Sequence, residues 1–261
     1  MIDTHCHLTF KEFDGRTGEI LAAAREVGVR GAITIATTSN DCLRAAALAE
    51  AHDGLWCSAG VHPLHSDEPI DWNDVTRAAA SPKCVAWGEL GLDNHYSDPP
   101  RTLQDKVLQE ELALIQAADR NEPKPRPIII HCREAFNDVL AALRSAGFDP
   151  SRFVFHCFTG TVDDARKVLD FGAWISFTGV VTFQNAREVA EAAKLVPADR
   201  IMVETDSPFL TPEPVRKLRP NEPRHVVHIA RRIAELRGQS YEDLERQLDA
   251  NAERFFGIRL A

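Results

Sequence analysis

Short apolar runs alternate with segments of helical period from one end of the chain to the other. The runs read MIDTHCH, GAITIAT, LWCSAGVH, CVAWGE, PIIIHC, FVFHCF, AWISFTG and IMVETD, ending near residues 7, 37, 62, 89, 132, 157, 178 and 206. Near-continuous apolar runs of this kind suit strands buried on both faces. Helix signals fall between them. In TVDDARKVLDFG, Thr161 is a candidate N-cap, Asp164 follows three residues on, Val162, Ala165, Val168 and Leu169 share a face, and Gly172 stops the helix. SYEDLERQL repeats the pattern, with Ser240 as cap and Tyr241, Leu244 and Leu248 on the apolar face. Eight strand–helix units in 261 residues predict an α/β protein, a (β/α)8 TIM barrel forming one domain over residues 1–261. A doubly wound open sheet is the alternative, but the first run leads into HLTFKEFDG, which lacks the glycine-rich phosphate turn of that fold. NEPKPRP, before the fifth run, predicts an extended connection.

Composition narrows the class. A hydrophobic content of 44% and a charged content of 26% are those of a globular protein. No apolar run approaches the roughly 18 residues that span a bilayer. No secretory signal is visible, so a cytoplasmic address and no membrane partner are expected. Cys6, Cys42, Cys57, Cys84, Cys132 and Cys157 form no CxxC pair and are expected to be buried reduced thiols. The net charge of −9 excludes nucleic-acid binding by bulk positive charge. A phosphate-bearing substrate must be held by local cations or bound metal.

In a barrel, chemistry gathers where the strands end. The first run ends in His5 and His7, the fourth in Glu89, the fifth in His131, the sixth in His156 and the eighth in Asp206, with His62 just past the third. Taken singly, Asp206 reads as a helix cap and Glu89 as a solvated strand end; together the set predicts a metal site. Alternation along a strand puts Asp3, His5 and His7 on one face and turns Cys6, Cys132 and Cys157 toward the helices. Imidazoles and carboxylates without thiolate suit Zn, Mn, Fe, Co or Mg. Six candidate ligands exceed the needs of one tetrahedral ion and match two ions sharing a carboxylate. Asp93 is placed as a cap or support.

DTHCHL, GVHP, GELGLD, IIHCREA, HCFTG and ETDSPFL followed by RPNEP resemble, in order from residue 2 to about residue 223, the TatD-like metal-dependent deoxyribonucleases of the amidohydrolase-type superfamily. The resemblance implies a (β/α)8 barrel with two divalent ions (Mg, Mn or Zn). It implies His5, His7 and Glu89 on one ion, and Glu89, His131, His156 and Asp206 on the other. It also implies 3′–5′ exonuclease action on DNA. The chain departs from the family at Cys132, where a serine is common, and after GVHP, where His65 stands in for the usual acidic residue or histidine. It has no lysine at the end of strand 4, unlike the branch that bridges its metals with a modified lysine.

The expected reaction is attack of water on a phosphodiester, with Glu89 and Asp206 as the catalytic carboxylates and Asp206 orienting the water or taking its proton. His62 and Arg133 are expected to bind substrate phosphate, Arg133 alternatively opening the helix REAFNDVL. The basic stretch from Pro214 to Arg232 is a candidate lining of the barrel mouth, Arg231 and Arg232 reading instead as a solvated helix face. Asn221 and Glu222 are expected to shape the site. DNA, through local contacts at that mouth, is the expected partner; no protein partner is predicted. Hydrolysis of an amide, lactone or phosphotriester on the same scaffold, or metal binding without turnover, are the competing readings.

Overall fold

A computed structural model describes residues 1–120, 122 and 124–260. Eight parallel strands run in sequence order: β1 (Ile2–Cys6), β2 (Gly31–Thr34), β3 (Leu55–Ala59), β4 (Cys84–Asp93), β5 (Ile128–Arg133), β6 (Phe153–Phe155), β7 (Trp174–Phe177) and β8 (Ile201–Val203). Seven helices connect successive strands: α1 (Thr17–Glu26), α2 (Ser39–Ala51), α3 (Trp72–Ala79), α4 (Arg101–Asp119), α5 (Phe136–Ala146), α6 (Val162–Phe171) and α7 (Arg187–Leu195). α8 (Val226–Arg237) and α9 (Tyr241–Phe256) follow the last strand. This is the predicted (β/α)8 barrel. The α6 signals act as read: Thr161 and Asp164 form a reciprocal capping box, and Gly172 ends the helix in the left-handed region. Ser240 caps α9 through the Asp243 N–H. The NEPKPRP connection includes Asn121 and Pro123, which lie outside the described residues.

The cylinder closes between β1 and β8 by polar contacts. Cys6 bridges to Ser207, the His7 N–H donates to Ser207 O at 2.8 Å, and the Asp206 N–H donates to His5 O at 2.9 Å. The Asp3 carboxylate accepts from both the N–H and the hydroxyl of Thr205. Asp3 therefore latches the seam instead of facing the cleft beside His5 and His7, as alternation predicts. The reason is a β-bulge. Asp3 pairs with Ala32 but Cys6 with Thr34, so β1 carries one extra residue. Ile2 consequently packs inside the barrel, and alternation restarts beyond it.

β4 has the same device. Trp87 pairs with Ile128 and Leu90 with Ile130, placing an extra residue at Gly88–Glu89. β4 also continues to Asp93, past the predicted end at Glu89, because Gly91, Leu92 and Asp93 stay in register with His131, Cys132 and Arg133. The barrel interior is filled by Ile2, Ile33, Ile35, Ala86, Ile129, Val154, Trp174 and Met202, packed with Phe255, Phe256 and Ile258 from the end of α9 onward. A larger apolar layer lies between strands and helices and contains Cys6, Leu90, Leu92 and Cys132.

Candidate metal centre and catalytic cleft

The six predicted ligands meet around Glu89. Glu89 Oε1 lies 2.8 Å from His131 Nδ1 and 2.5 Å from His156 Nε2, and Oε2 lies 3.2 Å from His5 Nε2. Asp206 Oδ1 lies 3.3 Å from His7 Nε2 and 3.8 Å from His5 Nε2. His62, just past β3, joins them: its Nε2 is 3.1 Å from His131 Nδ1 and 3.4 Å from Glu89 Oε1. The bulge in β4 aims Glu89 inward. Gly91 allows the close approach of β4 to β5: a Cβ there would lie 1.9 Å from the His131 carbonyl oxygen. No side chain fits in that space.

Outer contacts fix the imidazoles. His7 Nδ1 donates to Ile35 O at 3.1 Å, leaving Nε2 toward Asp206. His131 Nε2 is 3.0 Å from Asp93 Oδ2, so Asp93 supports as expected. His62 Nδ1 accepts from the Leu64 N–H at 3.0 Å, which puts the proton of the neutral ring on Nε2. Glu204, which sequence reasoning missed, is buried with Oε1 3.3 Å from His156 Nδ1 and 2.6 Å from the Cys157 N–H that donates to it. Its only signal was its place in ETD, next to a more conspicuous aspartate. A second missed carboxyl, Glu111 of α4, accepts from the Val61 N–H at 2.7 Å directly behind His62.

Several buried polar atoms of the cluster lack ordinary partners. Neither ring nitrogen of His5 makes a hydrogen bond, nor does Glu89 Oε2. The His5 ring lies flat against His156, centroids 3.9 Å apart and planes 7° from parallel. A buried polar atom without a partner costs roughly 1–3 kcal/mol. Three groups, His5/His7/Asp206, His5/Glu89/His156 and His62/Glu89/His131, have ligand atoms within 4.8 Å of one another. These nitrogen and oxygen donors fit divalent cations.

Charge in the cleft is strongly coupled. Burial pushes the Glu89 carboxyl up, but His156, His62 and His5 together hold it well below the usual range. Burial likewise raises Asp206, and its hydrogen bond to His7 brings it below the ordinary value. His156 is drawn down by burial yet held well above its ordinary value by Glu89 and Glu204. His5 is lowered by burial and by the neighbouring His156. The centre thus presents ionised carboxylates beside an uncharged imidazole.

Other predicted residues fall around this cluster. Arg133 ends β5 rather than opening α5, and its guanidinium lies over the Tyr96 ring at 5.2 Å. His65 pairs with Glu68 at 2.6 Å. Cys6 and Cys132 are buried in the outer layer, but Cys157 is not turned to the helices. It sits beyond the end of β6 at φ 43°, where alternation no longer applies, and borders the cleft with Sγ 3.7 Å from Thr178 Oγ1. None of the basic stretch borders the cleft itself. Arg216 lies over Phe183, Arg219 donates to Arg216 O, Arg224 pairs with Glu222, Arg231 lies over Tyr241 and Arg232 pairs with Glu235. Only Phe209 and Leu210, just before it, reach the cleft. Asn221 is fully buried; its amide donates to Thr205 O and Phe209 O and braces the turn that carries Asp206.

The cleft has a volume of about 990 Å³ and opens above the cluster. Its walls include Phe10, Tyr96, Arg133, Phe136, Val180 and Phe209. Among the described residues, every non-glycine with positive φ lines it: Glu134, Cys157, Asp206 and Leu210. Strained backbone concentrates at sites where geometry is imposed.

Comparison with known proteins agrees with this arrangement. The family described as TatD related DNase matches residues 2–257. The chain is 38% identical to the uncharacterized metal-dependent hydrolase YcfH of Escherichia coli, covering 99% of this chain and 96% of that protein. It is 36% identical to the 3′-5′ ssDNA/RNA exonuclease TatD of Pantoea ananatis, covering 99% of this chain and all of that one (100%). The crystal structure of YjjV, a TatD homologue of Escherichia coli, superposes with a TM-score of 0.91 at 28% identity, covering 99% of this chain and 98% of YjjV.

Proposed function

Since the chain belongs to the TatD-related DNase family of metal-dependent hydrolases, we propose that it hydrolyses phosphodiesters as a 3′–5′ exonuclease on single-stranded nucleic acid, DNA first. The observation that carries this reading is the convergence of His5, His7, Glu89, His131, His156 and Asp206, with the His5 nitrogens and Glu89 Oε2 lacking hydrogen bonds. The printed activity of the Pantoea relative supports the substrate class. His5, His7 and Glu89 would hold one divalent ion, and Glu89, His131, His156 and Asp206 a second, with Mg, Mn and Zn as candidates. When bound, such ions supply positive charge against the phosphate and lower the pKa of water.

The remaining steps belong to the side chains. Asp206 orients the attacking water and takes its proton on Oδ2, since Oδ1 faces His7 and His5. Water attacks phosphorus opposite the 3′ oxygen; the phosphorus–oxygen bond on that side breaks, and the released 3′ oxygen takes a proton from solvent to become a hydroxyl. His62, protonated on Nε2, donates to a phosphate oxygen, and the Arg133 fork at the cleft wall holds another. Tyr96, through its contact with the guanidinium, limits where that fork can point. The deciding experiment is product analysis on end-labelled single- and double-stranded oligonucleotides, with each metal added in turn to chelator-treated protein. Stepwise loss of mononucleotides from the 3′ end is expected. Activity confined to a lactone, an amide or a phosphotriester overturns the reading.

A further inference from the structure

Among the described residues, two phenylalanine, tyrosine or tryptophan side chains are exposed, Phe209 at 50% and Tyr96 at 49%, and both line the cleft. The strands they follow lie on opposite sides of the barrel. Phe209 follows β8 at the seam with β1, whereas Tyr96 follows β4 beside β5, half the circumference away in a cylinder ordered β1 to β8. Each lies three residues beyond an aspartate of the cluster, and that aspartate holds its backbone. The Phe209 N–H donates to Asp206 O at 2.9 Å, and the Tyr96 N–H donates to Asp93 Oδ1 at 3.2 Å.

Both rings are backed on one side. Phe209 is met by Phe10, centroids 6.0 Å apart at 78°, and its carbonyl is fixed by Asn221. Phe10 in turn stacks on His7 at 4.8 Å. Tyr96 is flanked by His95 at 4.9 Å and by the Arg133 guanidinium. Each aromatic is thus tied to the reacting centre by short chains of contact while about half its surface faces solvent. Both rings border the cleft, where a strand reaching the cluster would meet them.

We propose that Phe209 and Tyr96 are base-stacking platforms that grip a nucleic-acid strand on either side of the bond being cut. This rests on the nuclease reading above. A π-face accepts any base, so the pair confers strand recognition without sequence preference. It requires unpaired bases on both flanks, because a base inside a duplex already has both faces covered. The platforms therefore select single strands, or ends melted into single strands, over duplex.

The test pairs protein and substrate changes. Phe209→Ala and Tyr96→Ala are assayed on a short single-stranded oligonucleotide and on the same strand carrying an abasic residue at each position near the cut. Each alanine variant is expected to lose roughly tenfold in kcat/KM on the normal strand, with Phe209→Tyr and Tyr96→Phe restoring it. At the abasic position facing the altered ring, the variant and wild type should cut at equal rates. Circular dichroism verifies the fold of each variant. Wild-type cleavage matched by both alanine variants, or alanine and abasic losses that simply multiply, overturns the platforms alone. A wild-type protein that cuts no oligonucleotide with any metal overturns the underlying reading and this inference with it.

Discussion

Glu89 touches His5, His131, His156 and His62 from one carboxylate, more imidazoles than Asp206, Asp93 or Glu204 meets. Glu89→Gln keeps shape and removes charge; turnover is expected to fall by about a thousandfold, with bound metal measured by elemental analysis falling in parallel. Asp206→Asn is expected to cut kcat by a similar factor while leaving one ion in place, a split that separates the two carboxylates.

Glu111 gives a prediction of opposite character. Burial holds its carboxyl well above the ordinary 4.5, the Val61 N–H only partly opposing. Below pH 4.5 both folded and unfolded chains carry the proton and nothing is lost. As pH rises past 4.5, the unfolded chain ionises while the folded one does not, so stability falls until the folded group titrates. Glu111→Gln removes this penalty. The variant should match wild type in urea midpoint near pH 4 and exceed it at pH 8; a lower midpoint at pH 8 would show that Glu111 is ionised in the fold.

At the scale of elements, the two bulges matter most. Each inserts one residue beside a candidate metal ligand, in β1 before His5 and in β4 at Glu89. Period-two reading found the correct inward direction for His131 and His156, because β5 and β6 are regular where they pair, at Ile128–Ile130 and Phe153–Phe155. It misplaced Asp3, because nothing in DTHCHL announces the extra residue. It also misplaced Cys157, which lies past the strand where alternation has ended. The helix caps were legible, since Thr161, Asp164, Gly172 and Ser240 act within one turn of their own positions. The partners of the basic stretch were not, because Arg216 finds Phe183 and Arg231 finds Tyr241 only through tertiary packing.

Gly91 tests the β4–β5 junction. Gly91→Ala drives a methyl into the His131 carbonyl, at a residue whose φ of 150° disfavours side chains. It is expected to cost several kcal/mol, on the order of the 1–3 kcal/mol for overpacking plus the backbone penalty. The check is thermal melting together with metal titration, and an unchanged melting point would refute the close approach.

For the whole molecule, the cluster sits at one end of the barrel, and the residues from Phe255 to Ile258 pack into the interior apolar group that also holds Ile2 and Trp174. Phe256→Ala should lower stability by about 3–5 kcal/mol and leave kcat within a small factor. Metal binding should act in the other direction. A saturating ion binds only the folded cleft, so at 100 times its Kd it adds about 2.7 kcal/mol. Chelation should lower the melting temperature of wild type but not of Glu89→Gln. No helix among the described residues is long and apolar enough to cross a membrane.

The latch between Asp3 and Thr205 joins the start of the cylinder to its finish, while the ladder there amounts to one isolated bridge, Cys6 to Ser207. Warming should unzip the barrel at that junction first, drawing Asp206 away from His7 before the helices melt. A gently heated, metal-supplied sample is then expected to become inactive while its far-ultraviolet signal is still intact, and to recover on cooling.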